Sequence, residues 1–231
     1  MKYLKLVWLS FLLIAFCLAF SWGSNAIAEQ EEGEGVCFHW AFGAKVGPMN
    51  NRSLIAVKRD MALKTGDELK MFVEIQTKCF VYLLYRESQG QLHMLFPYDL
   101  RQHTTDSKML KHYYIPEVAW FELDENIGSE TFYLLASDRR LNQLERLTKN
   151  YGSTEPAKKK ELEGQIISEI RRLRRQNREL KAFPERPVQI VGGFRGKDDA
   201  GKAVGRDVRS LAVEISAKKF YSRTFTIDHR K

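Results

Sequence analysis

The chain has 231 residues, 44% of them hydrophobic, and a formal charge of +8 at pH 7. That length holds one large domain, or a small one with an appendage, and the apolar content suffices for a sizeable core. Five histidines and three cysteines, scattered along the chain, argue against a metal centre and against a multi-bridge disulfide scaffold.

The N-terminus sets the expected compartment. Lys2 and Lys5 precede an apolar core from Leu6 to Trp22, and Ala26, Ile27 and Ala28 place small residues where a signal peptidase reads. This pattern predicts a signal peptide over residues 1–28 and a mature, periplasmic or secreted chain from Glu29. The competing reading is a retained membrane anchor, because the apolar core approaches the length of a spanning helix. A lipoprotein is excluded, since Phe16 precedes Cys17 where a small residue is required. Loss of Lys2 and Lys5 leaves a charge of about +6. Outside the cytoplasm that excess suits an envelope protein or an anionic polymer, with membrane-surface contact compatible and nucleic acid not expected.

Residues 29–35 are acidic and glycine-containing, and are read as a disordered tail. From Val36 onward the pattern is that of short strands. Val36–Ala44 and Ser53–Lys58 come first. Leu69, Met71, Val73 and Ile75 then alternate with polar residues, Cys79 to Tyr85 is apolar almost throughout, and Leu92, Met94 and Phe96 alternate again. Ser88, Gln89 and Gly90 give the spacing of a tight hairpin. Tyr113–Pro116, Ala119–Leu123 and Glu130–Ala136 are three further strands.

At residue 138 the period changes from two to about three and a half. Asp138 is the expected N-cap of a helix carrying Leu141, Leu144 and Leu147, which ends near Gly152. Thr154 and Pro156 open a second helix to about Lys181, with Leu162, Ile166, Ile170, Leu173 and Leu180 as its apolar stripe. Val188–Gly192, Ser210–Ile215 and Phe220–Ile227 close the chain as strands. In the last of these, Tyr221, Arg223, Phe225 and Ile227 share one face. The expected fold is mainly β: an antiparallel β-sandwich-like domain over residues 36–231, with an inserted antiparallel helical hairpin at 139–181.

Several of these segments, in their order, resemble the bacterial domain-of-unknown-function family 4384. They are Leu63 to Asp67 before an alternating strand, Val81 to Leu84, Gln89 with Gly90, Leu95 to Pro97, Tyr113 to Pro116, Trp120 with Phe121, and Gly128 to Glu130. The resemblance covers about residues 61–138. It implies an exported accessory or recognition domain of the kind found beside protease or kinase domains, and it brings no established catalytic residues.

Each motif that suggests chemistry has a structural reading beside it. Gly196 to Ala203 follows a phosphate loop up to its last position, where Ala203 lacks the magnesium-binding hydroxyl and Asp198 and Asp199 would repel phosphate. It reads as a charged loop. Cys37 and Cys79 are a disulfide candidate in an oxidising compartment, or else two buried small hydrophobes. The histidines show no ligand spacing, and neither a metal nor a cofactor is expected. Asp67, Glu122 and Asp124 could meet only through the fold, so no catalytic residue is assigned.

The sharpest charge run is Arg171, Arg172, Arg174, Arg175 and Arg178. It reads as a docking face for an anionic partner or as a solvated helix face. Tyr98, Tyr113 and Trp120, with Tyr114 and Phe121, are either an exposed binding patch or core, and the inward alternation of Phe121 and Leu123 favours core. The functional expectation is an exported binding or scaffolding module without catalysis. The alternative is an envelope hydrolase whose carboxylates or histidines converge in the fold.

Overall fold

The computed structural model describes residues 35–102, 111–177, 186–187 and 207–231. The first strands in chain order are β1 (Val36–Val46), β2 (Ser53–Ala56), β3 (Asp60–Lys64), β4 (Glu68–Ile75), β5 (Phe80–Arg86) and β6 (Leu92–Phe96). They are followed by β7 (His112–Ile115), β8 (Phe121–Glu122) and β9 (Gly128–Ser137). Two helices, α1 (Asn142–Ser153) and α2 (Pro156–Gln176), precede β10 (Arg186–Pro187), β11 (Val213–Ala217) and β12 (Phe220–Arg230).

The strands form two sheets. One has the order β10-β11-β1-β4-β7, with β2 beside β1 and β8 beside β4; the other has the order β3-β12-β9-β5-β6. Pairing is antiparallel except between β3 and β12, which run parallel with Asp60 opposite Thr226.

Period-two alternation builds the space between the sheets. Phe38, Trp40 and Phe42 of β1 and Leu69, Met71 and Val73 of β4 meet Val81 and Leu83 of β5, Phe132 and Leu134 of β9, and Phe225 and Ile227 of β12. Phe42 is at the centre of an aromatic cluster, its ring centroid 5.0 Å from Phe132 and 5.3 Å from Phe225.

Positions of the opposite parity are covered as well. On the second sheet Tyr82, Leu84, Leu135 and Phe220 pack under Leu144, Leu147 and Tyr151 of α1 and Ile166, Ile170 and Leu173 of α2. That explains why Cys79 to Tyr85 lacks a polar phase: β5 is central and buried on both faces. The outer face of this sheet is therefore covered by the helical hairpin. On the first sheet Ala41 and Phe72 lie beneath Val208 and Ala212, from a single 3-10 turn at Val208–Leu211 and the residue after it.

Several local expectations change. The helix cap is not Asp138, whose N–H still extends the β9–β12 ladder by bonding Lys219 O at 3.0 Å. Instead α1 begins at Asn142, and the Tyr82 hydroxyl accepts the Leu141 N–H at 3.0 Å while donating to Glu145 Oε1 at 2.6 Å. A strand was expected over Ser210–Ile215; its first half is the 3-10 turn, started by Asp207 accepting from Arg209 N, and extended pairing begins at Val213. The far end of the second helix and the strand Val188–Gly192 fall outside the described residues, as do the signal peptide, the acidic tail to residue 34 and the Gly196–Ala203 loop. β3 was not foreseen.

The disulfide candidate is not formed: Cys37 and Cys79 are free thiols. Strand parity gives the reason. Val36 and Phe38 point into the core, so Cys37 between them points out, whereas Cys79 is buried with the core cluster. The Cys79 thiol donates to the Cys37 carbonyl at 3.8 Å, and a bridge would require turning one strand over. Burial pushes the Cys79 thiol up to about 11, which leaves it protonated and unreactive near neutral pH.

Candidate functional site

The outward face of β12 carries Ser222, Thr224 and Thr226, in alternation with the core residues Tyr221, Phe225 and Ile227. Helix α2 lies over this sheet through Ile166, Ile170 and Leu173. Its 3.6-residue period places Ile167, Arg171 and Arg174 along the flank beside that contact line. Between this flank and the sheet edge is an open cleft of about 430 Å³, lined by Arg59, Asp60, Tyr133, Ile167, Ile170, Arg171, Arg174, Thr224 and Thr226.

Two of the five predicted arginines thus converge with a third, Arg59, that the sequence did not single out. Arg174 donates weakly to Thr224 Oγ1 at 3.4 Å, and neither Arg171 nor Arg174 pairs with a carboxylate among the described residues. Burial pushes the Tyr133 phenol up, and the charges of Arg86, Arg171 and Arg174 act the other way. The cleft therefore offers three guanidinium groups and three hydroxyls against one carboxylate, Asp60. Arg172 is turned away and closes on Glu169 at 2.6 Å. Arg175 is exposed, and Arg178 lies outside the described residues.

The aromatic candidates separate. Tyr113 is buried in the sandwich with its ring 4.9 Å from Phe96. Trp120 is half-buried on the outer face of the first sheet, with Lys45 Nζ 4.0 Å above its ring. Tyr98 is exposed, and its hydroxyl donates to the Tyr114 carbonyl. They do not form one patch.

The carboxylates named beforehand also separate. Asp67 closes its own turn by accepting from Lys64 N at 2.8 Å. His112 lies on the outer face of the first sheet, stacked 6.2 Å from Phe72. Glu122 and Asp124 instead border a second cleft, which reaches the core-facing residues Glu130 and Phe132 of β9. Among the described residues no group of three His, Cys, Asp or Glu is placed to hold a metal ion. None of the described helices is long and apolar enough to cross a membrane.

One polar chain was not foreseen. Tyr85 donates to Glu130 Oε2 at 2.9 Å, Glu130 Oε1 faces His229 Nδ1 at 3.2 Å, and His229 Nε2 faces Thr65 Oγ1 at 3.0 Å. The order hydroxyl, imidazole, carboxylate is that of a nucleophilic triad. The surroundings are structural. The Thr65 and Gly66 N–H groups, the nearest oxyanion donors, are already bonded to Arg230 O and Leu123 O, each at 2.8 Å. The chain ties the end of β12 to β9 and to the β3–β4 turn.

Burial pushes the Glu130 carboxyl up, partly offset by its hydrogen bonds from Tyr85 and His229. The folded chain then holds this proton more tightly than the unfolded chain. Unfolding free energy falls as pH rises from the ordinary carboxylate value of 4.5 through the raised folded value. Relative to Glu130→Gln, the unsubstituted protein should lose urea resistance over that interval. Parallel pH profiles for the two proteins would refute this.

Residues 62–140 match the model of the domain of unknown function DUF4384. The match takes in most of β3 and all of β4 to β9 and ends at Arg140, while β1, the middle strand of the first sheet, lies outside it, as do β2, β10, β11, β12 and both helices. No curated protein and no solved structure matches the chain. Relative to the DUF4384 segment, the arginine cleft is an addition: of its lining residues only Tyr133 lies inside 62–140. The cleft bordered by Glu122 and Asp124 is built wholly from residues of the DUF4384 segment.

Proposed function

We propose that the protein is an exported, non-catalytic binding module of the bacterial envelope. It receives an anionic group of an envelope protein or polymer in the cleft between α2 and the β3–β12 edge. The observation that carries this reading is the convergence of Arg59, Arg171 and Arg174 with the hydroxyls of Thr224, Thr226 and Tyr133. Guanidinium forks and hydroxyls are the donor set that suits phosphate and carboxylate oxygens. The export pattern of residues 1–28 supports the location, and the basic balance of the chain supports an anionic partner. A solvated arginine face needs no second element opposite it, whereas this one faces the hydroxyl row of a strand.

Polyphosphate, titrated into the protein and followed by calorimetry, tests the reading. The double variant R171Q/R174Q should bind about tenfold or more weakly, a loss of ~1.4 kcal/mol. Lys158→Gln with Lys160→Gln removes the same charge from exposed positions at the other end of α2 and should change affinity little. Equal losses in the two double variants would mean that only overall charge is read.

A further inference from the structure

We infer that the cleft bordered by Glu122 and Asp124 is a second binding site, one that receives the side chain of a lysine from a partner polypeptide. It has a volume of about 430 Å³ and opens between the β4–β8 end of one sheet and the β5–β6 hairpin of the other. Its apolar wall comes from Leu69, Leu95, Phe121, Leu123 and Phe132, so a hydrocarbon stem entering it would leave water. Its polar rim holds Glu87, Glu122, Asp124 and Glu130, and no lysine or arginine lines it, although the chain as a whole carries 37 lysines and arginines against 29 acidic residues.

The geometry of the rim is set by neighbours rather than by chance exposure. Glu130 is buried and held by Tyr85 and His229, and Glu87 Oε1 is held by His93 Nε2 at 2.7 Å. Asp124 is held by both nitrogens of Asn126, each at 2.7 Å. The ring of Tyr85 stacks between His93 at 5.9 Å and Phe132 at 4.7 Å, which fixes the aromatic side. Gly128 holds the lining residue Ser88 in place: its φ is 142°, and a Cβ there would stand 2.7 Å from Ser88 Cβ, so the hairpin loop can lie against the start of β9.

Charge complementarity selects the occupant. A purely apolar ligand would strip water from the carboxylates of Glu87, Glu122 and Asp124 without replacing it, and an anion would be repelled. A chain of methylenes ending in an ammonium ion satisfies both parts of the cleft: the stem lies along Phe121 and Phe132 and the head meets the carboxylate rim.

The test is an NMR titration of the protein with the peptide acetyl-Ala-Lys-Ala-amide, with norleucine or Nε-acetyl-lysine in place of lysine as controls. The lysine peptide should shift the ring signals of Tyr85, Phe121 and Phe132 in a saturable way, with a dissociation constant in the millimolar range. Both controls should bind about tenfold more weakly. Glu122→Gln, at an exposed rim position that holds no fold contact beyond the short β8 ladder, should weaken the lysine peptide without unfolding the chain. Equal shifts from the lysine and norleucine peptides would overturn the proposal, and so would shifts spread over the surface. A loss in R171Q/R174Q would not be expected here, so the two sites fail or stand separately.

Discussion

Phe42→Ala lowers the unfolding free energy by about 3–5 kcal/mol, seen as a large drop in the urea midpoint with an unchanged slope. Phe42 is 3% exposed and its ring meets Phe132 at 5.0 Å, Phe225 at 5.3 Å and Trp40 at 6.2 Å. Those partners come from β9, β12 and β1 itself, so the ring joins both sheets across the sandwich. Truncation removes the transfer energy of the ring and leaves a cavity that three large neighbours, each held by its own strand, cannot collapse to fill. Aromatic edge-to-face geometry with Phe132 and Phe225 is lost in addition. Phe42→Leu, which restores most of the volume, should cost clearly less. A loss below about 1 kcal/mol for the alanine variant would show that this cluster is not the centre of the core. A domain of this size has about 5–15 kcal/mol in total, so the alanine variant spends a large part of its margin.

The strand positions were legible because burial on one face leaves a period of two. The faces of β12 followed directly from Tyr221, Phe225 and Ile227 against Ser222, Thr224 and Thr226. The helical hairpin was legible for the matching reason, a change to a period near three and a half at residue 138. What was hidden was pairing between distant segments. Asp60 to Lys64 is five residues with little pattern of its own, and it is a strand because β12, more than 160 residues later, runs beside it in parallel. Long separations also hid Arg59 from the arginine cleft and His229 from Glu130, the latter pair 99 residues apart. The choice between a bridge and free thiols was legible for Cys37, because Val36, Phe38 and Trp40 fix it on the outer face of its strand. Asp138 was a sound capping residue by type, but the ladder between β9 and β12 had claimed its backbone before the helix began.

Arg140→Ala costs about 2–3 kcal/mol and releases the helical hairpin before the sheets. Arg140 grips Glu145 with two nitrogens, at 2.5 Å from Nη2 and 3.1 Å from Nε, and Nη2 also reaches the Leu100 carbonyl at 3.3 Å. The Glu145 side chain is 8% exposed and that of Arg140 is 32% exposed. Removing the arginine takes two charged donors from a buried carboxylate that keeps the Tyr82 hydroxyl, while water admitted through the vacated space keeps the loss below that of a fully enclosed pair. Glu145→Gln in the Arg140→Ala background should recover part of it, because a neutral amide still accepts from Tyr82. The node also supplies the start of α1 through the Leu141 N–H, so its loss is local. Amide exchange should accelerate first in α1 and α2 while β5 and β9 stay protected. Uniform acceleration across sheet and helices would refute a local release. Because Arg171 and Arg174 face Thr224 and Thr226 only while α2 lies on the sheet, polyphosphate binding should weaken in Arg140→Ala even though no cleft residue has changed. It should return with Glu145→Gln to the extent that helix protection returns.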